Sequence, residues 1–317
     1  MSFRVRNQAT ISEQVVFSGI GVHSGLPATM RILPAPENFG IVFKRTDIKE
    51  KNNIVESRTS NVITPTMCTK ITNEAGVSVG VIEHLMAAFR ISGITNAFIE
   101  IDAEEVPIID GSSIEFVNAF TKAGINRQNA KVKTIVIKQQ ISEQFDTSSF
   151  VVTPANDCIL SIFLNYERIN RIIKNNNSTT FKMSAKKKLM KIAESRTFGW
   201  LEDYDKVRKA GMARGSSADN TIIIGPNDSV INREGLRNEK EIVNHKALDL
   251  IGDFFVFGCD IIGHITAVNP SHFNNHAFIT KLITNFKSGE IFEEKIPYTA
   301  RIMPCLCEEV SPASGPA

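Results

Sequence analysis

The sequence predicts an α+β fold of two similar domains, each a mainly antiparallel sheet with helices on one face, packed so that the helices lie between the two sheets. Three observations point there. A chain of 317 residues is long enough for about two domains, each with its own core. Short strand patterns separated by turn residues open both halves. One order of elements then occurs twice: a helix, a glycine, a strand, a loop and a second helix, over 81–122 and again over 241–286. The repeat is one of order and length, not of residue identity.

The first half begins with expected strands at 14–17, 28–33, 40–44 and 67–71, the first two parted by Gly19, Gly21 and Gly25. Val81, Leu85, Ala88 and Phe89 recur at helical spacing and predict a helix over 81–91 that stops near Gly93. A strand at 95–101, the loop VPIIDGSS at 106–113 and a helix at 114–122 ended by Gly124 complete this half. The polar stretch NRQNAK at 126–131 reads as a break, giving an N-terminal domain over 1–127 and a C-terminal domain over 132–303. Strands are expected at 132–137, 150–153 and 159–164. A helix follows over 184–195 with Ser184 as its N-cap, and another over 200–209 ended by Gly211. Residues 199–233, rich in Gly, Asn and Asp, read as an insertion. The second copy of the repeat uses a helix from 241, Gly258, a strand at 260–267 and a helix at 273–286. Residues 304–317, ending SPASGPA, read as a disordered tail.

Composition narrows the function. Hydrophobic residues at 42% and charged residues at 22% are ordinary for a soluble domain. A net charge of +2 gives no electrostatic basis for binding nucleic acid or an anionic membrane, and Lys186, Lys187, Lys188 and Lys191 read as a solvated helix face. No apolar run of about 18 residues is present to span a membrane. The opening MSFRVRNQAT lacks a signal-peptide core, so a cytoplasmic location is expected. Cys68, Cys158, Cys259, Cys305 and Cys307 are odd in number and lack zinc-ribbon spacing, which argues against a disulfide scaffold. Oligomeric state is not indicated, and a monomer is the default.

The chemistry sits in EIVNHKALDLIGDFFVF at 241–257. His245, Asp249 and Asp253 recur every four residues and lie along one helix face, flanked by Ile242, Leu248, Ile251 and Phe255. An imidazole and two carboxylates on a buried face need partners, and a divalent metal is one. Alone, the pair His245–Asp249 reads more simply as a core histidine beside a carboxylate that caps or salt-bridges a neighbour. Glu83 and His84, within VIEHLMAAF, supply the second source. Two histidines and one carboxylate leave a coordination position open, the catalytic pattern for zinc; ferrous iron suits the same set. Glu83, next to a ligand, is placed as a general base toward water.

Across residues 8–300 the chain resembles the UDP-3-O-acyl-N-acetylglucosamine deacetylases, zinc amidases of lipid A synthesis. The resemblance rests on SGIGVHSG (18–25), VIEHLMAAF (81–89), VPIIDGSS (106–113), SRTFGW (195–200), NHKALDLIGD (244–253) and SHFNN (271–275) in that order. It implies that His84, His245 and Asp249 hold zinc and that Glu83 is the general base. His272 would be the general acid and oxyanion stabiliser, Asp253 its carboxylate partner, and Thr197 a hydroxyl that polarises the amide carbonyl. Phe198 would wall the sugar site, Lys246 would meet the diphosphate, and His23 would lie near the sugar nucleotide. The insertion at 199–233 would form a hydrophobic passage for the acyl chain of an acylated UDP-sugar substrate. Two departures stand out: Ser271 replaces the family's usual glycine, and the run before the Asn pair is one residue short, which puts the pose of His272 in question. His264 and His276 are then alternative acids. Lys246 could equally be a solvated lysine, and His23 part of a tight turn. An amidohydrolase for another acylated sugar and a non-catalytic module stabilised by a metal are the competing functions.

Overall fold

The computed structural model describes residues 5–63, 67–174, 176–284 and 291–292. The end of the expected second domain, the tail at 304–317, Cys305 and Cys307 lie outside the described residues.

The first half runs β1 (Asn7–Ile11), β2 (Val15–Ile20), β3 (Pro27–Pro34), β4 (Ile41–Arg45), β5 (Ile54–Glu56), β6 (Val62–Ile63), β7 (Lys70–Thr72), β8 (Ser78–Gly80), α1 (Glu83–Ser92), β9 (Ala97–Ile101) and α2 (Ile114–Ala123). The second runs β10 (Ile125–Lys131), β11 (Thr134–Val136), β12 (Ile141–Gln144), β13 (Ser149–Thr153), β14 (Cys158–Phe163), α3 (Glu167–Ile173), β15 (Ser178–Lys182), α4 (Lys186–Ala193), β16 (Phe198–Trp200), α5 (Tyr204–Lys209), β17 (Ile222–Ile224), α6 (Glu241–Phe255), β18 (Asp260–Val268) and α7 (His272–Thr284). The fold is α+β, as the sequence predicts, and the repeat extends into topology. In the first sheet β9 lies between β3, antiparallel to it, and β4, parallel to it, with β2 and β5 outside. In the second, β18 lies between antiparallel β13 and parallel β14, with β12 and β15 outside. These five strands repeat the pattern of the first sheet, and β11 adds a further parallel pairing to the start of β18.

Helices α1 and α6 pack on each other. Every residue from Glu83 to Phe89 is buried, and in α6 all but Lys246 are. A helix apolar around most of its circumference belongs between two layers, where it has no solvent face. One cluster of buried residues joins α6 and α7 to the second sheet, and another joins α1 and α2 to the first.

Three expectations need correction. The stretch at 126–131 is not a turn-like break but the strand β10, paired antiparallel with β1. Most of its side chains are exposed, so the pairing is carried by backbone hydrogen bonds that leave no apolar period to read. Ser184 does not cap α4; its hydroxyl bonds Asp157 Oδ2 at 3.0 Å, and the helix starts at Lys186 behind Ala185 with no side-chain cap. Residues 200–209 are not one helix: the strand β16 ends at Trp200 and α5 covers only the last six.

Candidate active site

Helix α6 is the spine of the site. His245, Asp249 and Asp253 share one face and are at most 2% exposed. Gly252 permits α1 to come against that helix: a β-carbon there would stand 2.0 Å from the carbonyl oxygen of Glu83. The crossing brings Glu83 and His84 to the face that carries His245 and Asp249. Helix α1 starts at Glu83 rather than at Val81 because Val81 adopts φ 58°, left-handed backbone that a β-branched residue enters at a cost of about 1–3 kcal/mol.

One ligand atom from each of His84, His245 and Asp249 lies within 4.8 Å of the others. His84 Nε2 is 3.7 Å and His245 Nε2 3.3 Å from Asp249 Oδ1. The ring planes are nearly perpendicular, with centroids 5.1 Å apart. His245 Nδ1 lies 3.1 Å from the Ser195 carbonyl oxygen and donates to it, which turns the Nε2 lone pair inward. Burial drives the His84 pKa down to about 3, with the neighbouring His245 adding to the shift, and burial lowers His245 as well. Burial works against ionised Asp249, but His245, Lys246 and His272 outweigh it and hold the carboxyl well below its usual range. Two neutral imidazoles and one carboxylate are the protonation states that ligation requires. Asp249 Oδ1 is buried without a hydrogen-bond donor. A buried carboxylate oxygen without a donor calls for a cation, so the residues fit a divalent metal.

A stability measurement follows. Zinc added to metal-stripped protein at 100 times its Kd should stabilise the fold by about 2.7 kcal/mol, seen as a rise in Tm that a chelator reverses. Asp249→Ala protein should show no such rise.

Further titratable groups lie beside this cluster. Glu83 Oε2 accepts the backbone N–H of Thr69 at 3.0 Å, and Oε1 stands 3.8 Å from His272 Nε2. Burial pushes the Glu83 pKa up to about 7, against the pull of the His272 charge. His272 opens α7, and its Nδ1 donates to Asp253 Oδ2 at 2.8 Å. Burial opposes its charge, but Asp253 and Glu83 raise its pKa to about 9. Thus Ser271 and the short run do not part His272 from its carboxylate. Of the alternative acids, His264 lies on β18 with its Nε2 2.9 Å from Ser161 Oγ of β14, while His276 is buried behind Asp253.

A cavity of about 890 Å³ opens over these groups and is lined by His23, Glu83, His84, Thr197, Phe198, His245, Lys246, Asp249 and His272. Asp253 stands behind His272 and is fully buried. Lys246 Nζ bonds Asp249 Oδ2 at 2.9 Å and lies 5.6 Å from the centre of the Phe198 ring. Thr197 is fixed through its backbone, between Gly111 and Ile222. His23 is pinned by Glu105, which accepts its N–H at 2.9 Å, and by Arg214, whose N–H donates to its carbonyl. The stretch from 199 to 233 adds the apolar wall: Trp200, Leu201, Val207, Met212 and Ile223. Sequence reasoning missed Thr69 and Asn275, both of which bond Asp253. Neither shares a helix face or a short spacing with the ligands that could have marked it.

A family model for UDP-3-O-acyl N-acetylglycosamine deacetylase matches residues 8–284. The chain belongs to this family. Among its relatives is a protein of Campylobacter fetus subsp. fetus, 38% identical over 284 residues, 90% of this chain and 94% of the relative. A protein of Mannheimia succiniciproducens is 36% identical over 290 residues, 91% and 94%. One from Myxococcus xanthus is 36% identical over 285 residues, 90% and 89%. All three carry the name UDP-3-O-acyl-N-acetylglucosamine deacetylase. Among the described residues, no helix is long and apolar enough to cross a membrane.

Proposed function

We propose that the chain hydrolyses the acetamide of UDP-3-O-acyl-N-acetylglucosamine, releasing acetate and UDP-3-O-acyl-glucosamine, the committed step of lipid A biosynthesis. The supporting observation is the convergence, on one cavity, of a three-ligand cluster with a base on one side and a carboxylate-backed imidazole on the other. A purely structural metal site takes a fourth protein ligand and has no use for such a pair.

His84, His245 and Asp249 would hold the cation, zinc or ferrous iron. When bound, it polarises the amide carbonyl and lowers the pKa of water to about 7. Glu83 takes the proton of the attacking water through Oε1, while Thr69 anchors its other oxygen. His272 carries the positive charge opposite, offsets the negative charge that develops on the carbonyl oxygen, and gives its Nε2 proton to the departing amine as the C–N bond breaks. Asp253 holds that ring in place and in its charged form. Thr197 offers a hydroxyl to the carbonyl, and Phe198 and His23 border the sugar. Lys246 meets the diphosphate while its ammonium also balances Asp249, and the stretch 199–233 receives the acyl chain. A cytoplasmic protein, with a monomer as the default, goes with this reading.

Acetate release tests this reading. It should be seen with UDP-3-O-acyl-N-acetylglucosamine and fall steeply with UDP-N-acetylglucosamine, which lacks the acyl chain. The rate should depend on pH as a bell. Glu83 is a base only above its pKa of about 7, and His272 is an acid only below its pKa of about 9. Activity therefore falls as pH drops through the first value and as it rises through the second. With a cation held by His84, His245 and Asp249, the acid limb would lie lower. Equal rates with and without the acyl chain would argue against an acylated sugar as the substrate.

A further inference from the structure

Thr69 touches both sides of the proton traffic. Its backbone N–H donates to Glu83 Oε2 at 3.0 Å, and its hydroxyl lies 2.5 Å from Asp253 Oδ1 and 3.1 Å from His276 Nε2. The residue is fully buried next to β7 in the first half, whereas Asp253 and His276 belong to α6 and α7 of the second. One side chain thus joins the two halves at the acid and, through its own backbone, at the base.

The direction of these hydrogen bonds follows from a count of donors. Asp253 Oδ2 accepts from His272 Nδ1 and from Asn275 Nδ2, both at 2.8 Å, and an ionised carboxylate has no proton to give. The Thr69 hydroxyl must therefore direct its single proton to Oδ1. It can then only accept from His276, whose Nε2 must carry hydrogen. His276 Nδ1 is buried with no partner. The order is His276 Nε2–H to Thr69 Oγ1–H to Asp253 Oδ1, with His272 on the other oxygen. Each carboxylate oxygen then has its own donors, and the plane of the carboxylate, and so the pose of His272, is fixed.

We propose that Thr69 is a positioning residue for the acid–base pair and that His276 holds its hydroxyl in the donating orientation. The proposal rests on the deacetylase reading. Its test is a double-mutant cycle on acetate release with Thr69→Val, Thr69→Ser, His276→Phe and the double variant Thr69→Val/His276→Phe, alongside proton NMR of the His272 Nδ1–H in its bond to Asp253. Thr69→Val should lower kcat by about 10- to 100-fold with KM and metal content unchanged. Thr69→Ser should restore most of it. His276→Phe should lower kcat in the wild-type background and add nothing to Thr69→Val, because its effect passes through the hydroxyl. The His272 resonance should move in Thr69→Val and return in Thr69→Ser. A merely structural residue would lower Tm without separating kcat from KM. Wild-type kcat and an unmoved resonance in Thr69→Val would overturn the proposal, as would kcat losses that multiply in the double variant. If Thr69→Val does not fold, wild-type kcat in His276→Phe overturns the role of His276. A wild-type protein that releases no acetate, with the His272 resonance still moving in Thr69→Val, would sink the deacetylase reading and leave the positioning intact.

Discussion

Gly252→Ala is expected to cost both stability and metal affinity. In the middle of a helix, alanine ordinarily improves on glycine by up to about 1 kcal/mol. Here the added methyl would stand 2.0 Å from Glu83 O, 2.8 Å from the carbonyl carbon and 3.1 Å from Cα, all backbone atoms that cannot swing aside as a side-chain tip can. Helices α1 and α6 would have to separate by about an ångström, and the separation falls between the helix carrying Glu83 and His84 and the one carrying His245 and Asp249. Overpacking of this kind destabilises by about 1–3 kcal/mol. Urea unfolding would measure the first effect and zinc titration the second. A Gly252→Ala protein more stable than wild type, with undiminished zinc affinity, would show that the crossing does not set the site.

Asp253→Asn should lower kcat by on the order of 10³- to 10⁴-fold while metal content stays the same. The change is nearly isosteric, so the effect is electrostatic. Asp253 is fully buried and accepts from three donors, Thr69 Oγ1, His272 Nδ1 and Asn275 Nδ2. An amide has one acceptor oxygen and an NH₂ group, so at least one of those donors would face another donor. His272 would also lose the carboxylate that outweighs its burial, and its pKa would fall from about 9. The variant should therefore lose the charged acid at neutral pH, and the basic limb of the pH–rate profile should move down. Unchanged kcat with an unmoved basic limb would mean that His272 does not act in its charged form.

What the sequence disclosed was mainly what helices encode locally. The four-residue steps through His245, Asp249 and Asp253 already place three polar groups on one face, and Glu83–His84 borders an apolar stripe in the same way. The repeated order of elements foretold two related sheets. The order of strands within them was not legible, because β9 and β18 each enter between strands formed earlier in the chain, and only long-range pairing decides that. The NRQNAK segment was misread for a related reason: β10 is held by its backbone ladder with β1 while most of its side chains face water. Thr69 escaped notice because its role comes from the approach of β7 to α6 and α7, not from any period along the chain. Nothing within its own helix marks Gly252; its role lies in the carbonyl of Glu83 packed against it.

The most direct test is acetate release from UDP-3-O-acyl-N-acetylglucosamine, with metal content determined on the same samples of wild type, Glu83→Ala and His272→Ala. The account predicts about one divalent metal per chain in all three and rapid release by wild type alone. Retention of metal with loss of activity in both variants would place the base and the acid outside the ligand set, as the geometry has them. Metal-loaded wild type that releases no acetate would contradict the assignment of this substrate, and full activity in Glu83→Ala would contradict the mechanism.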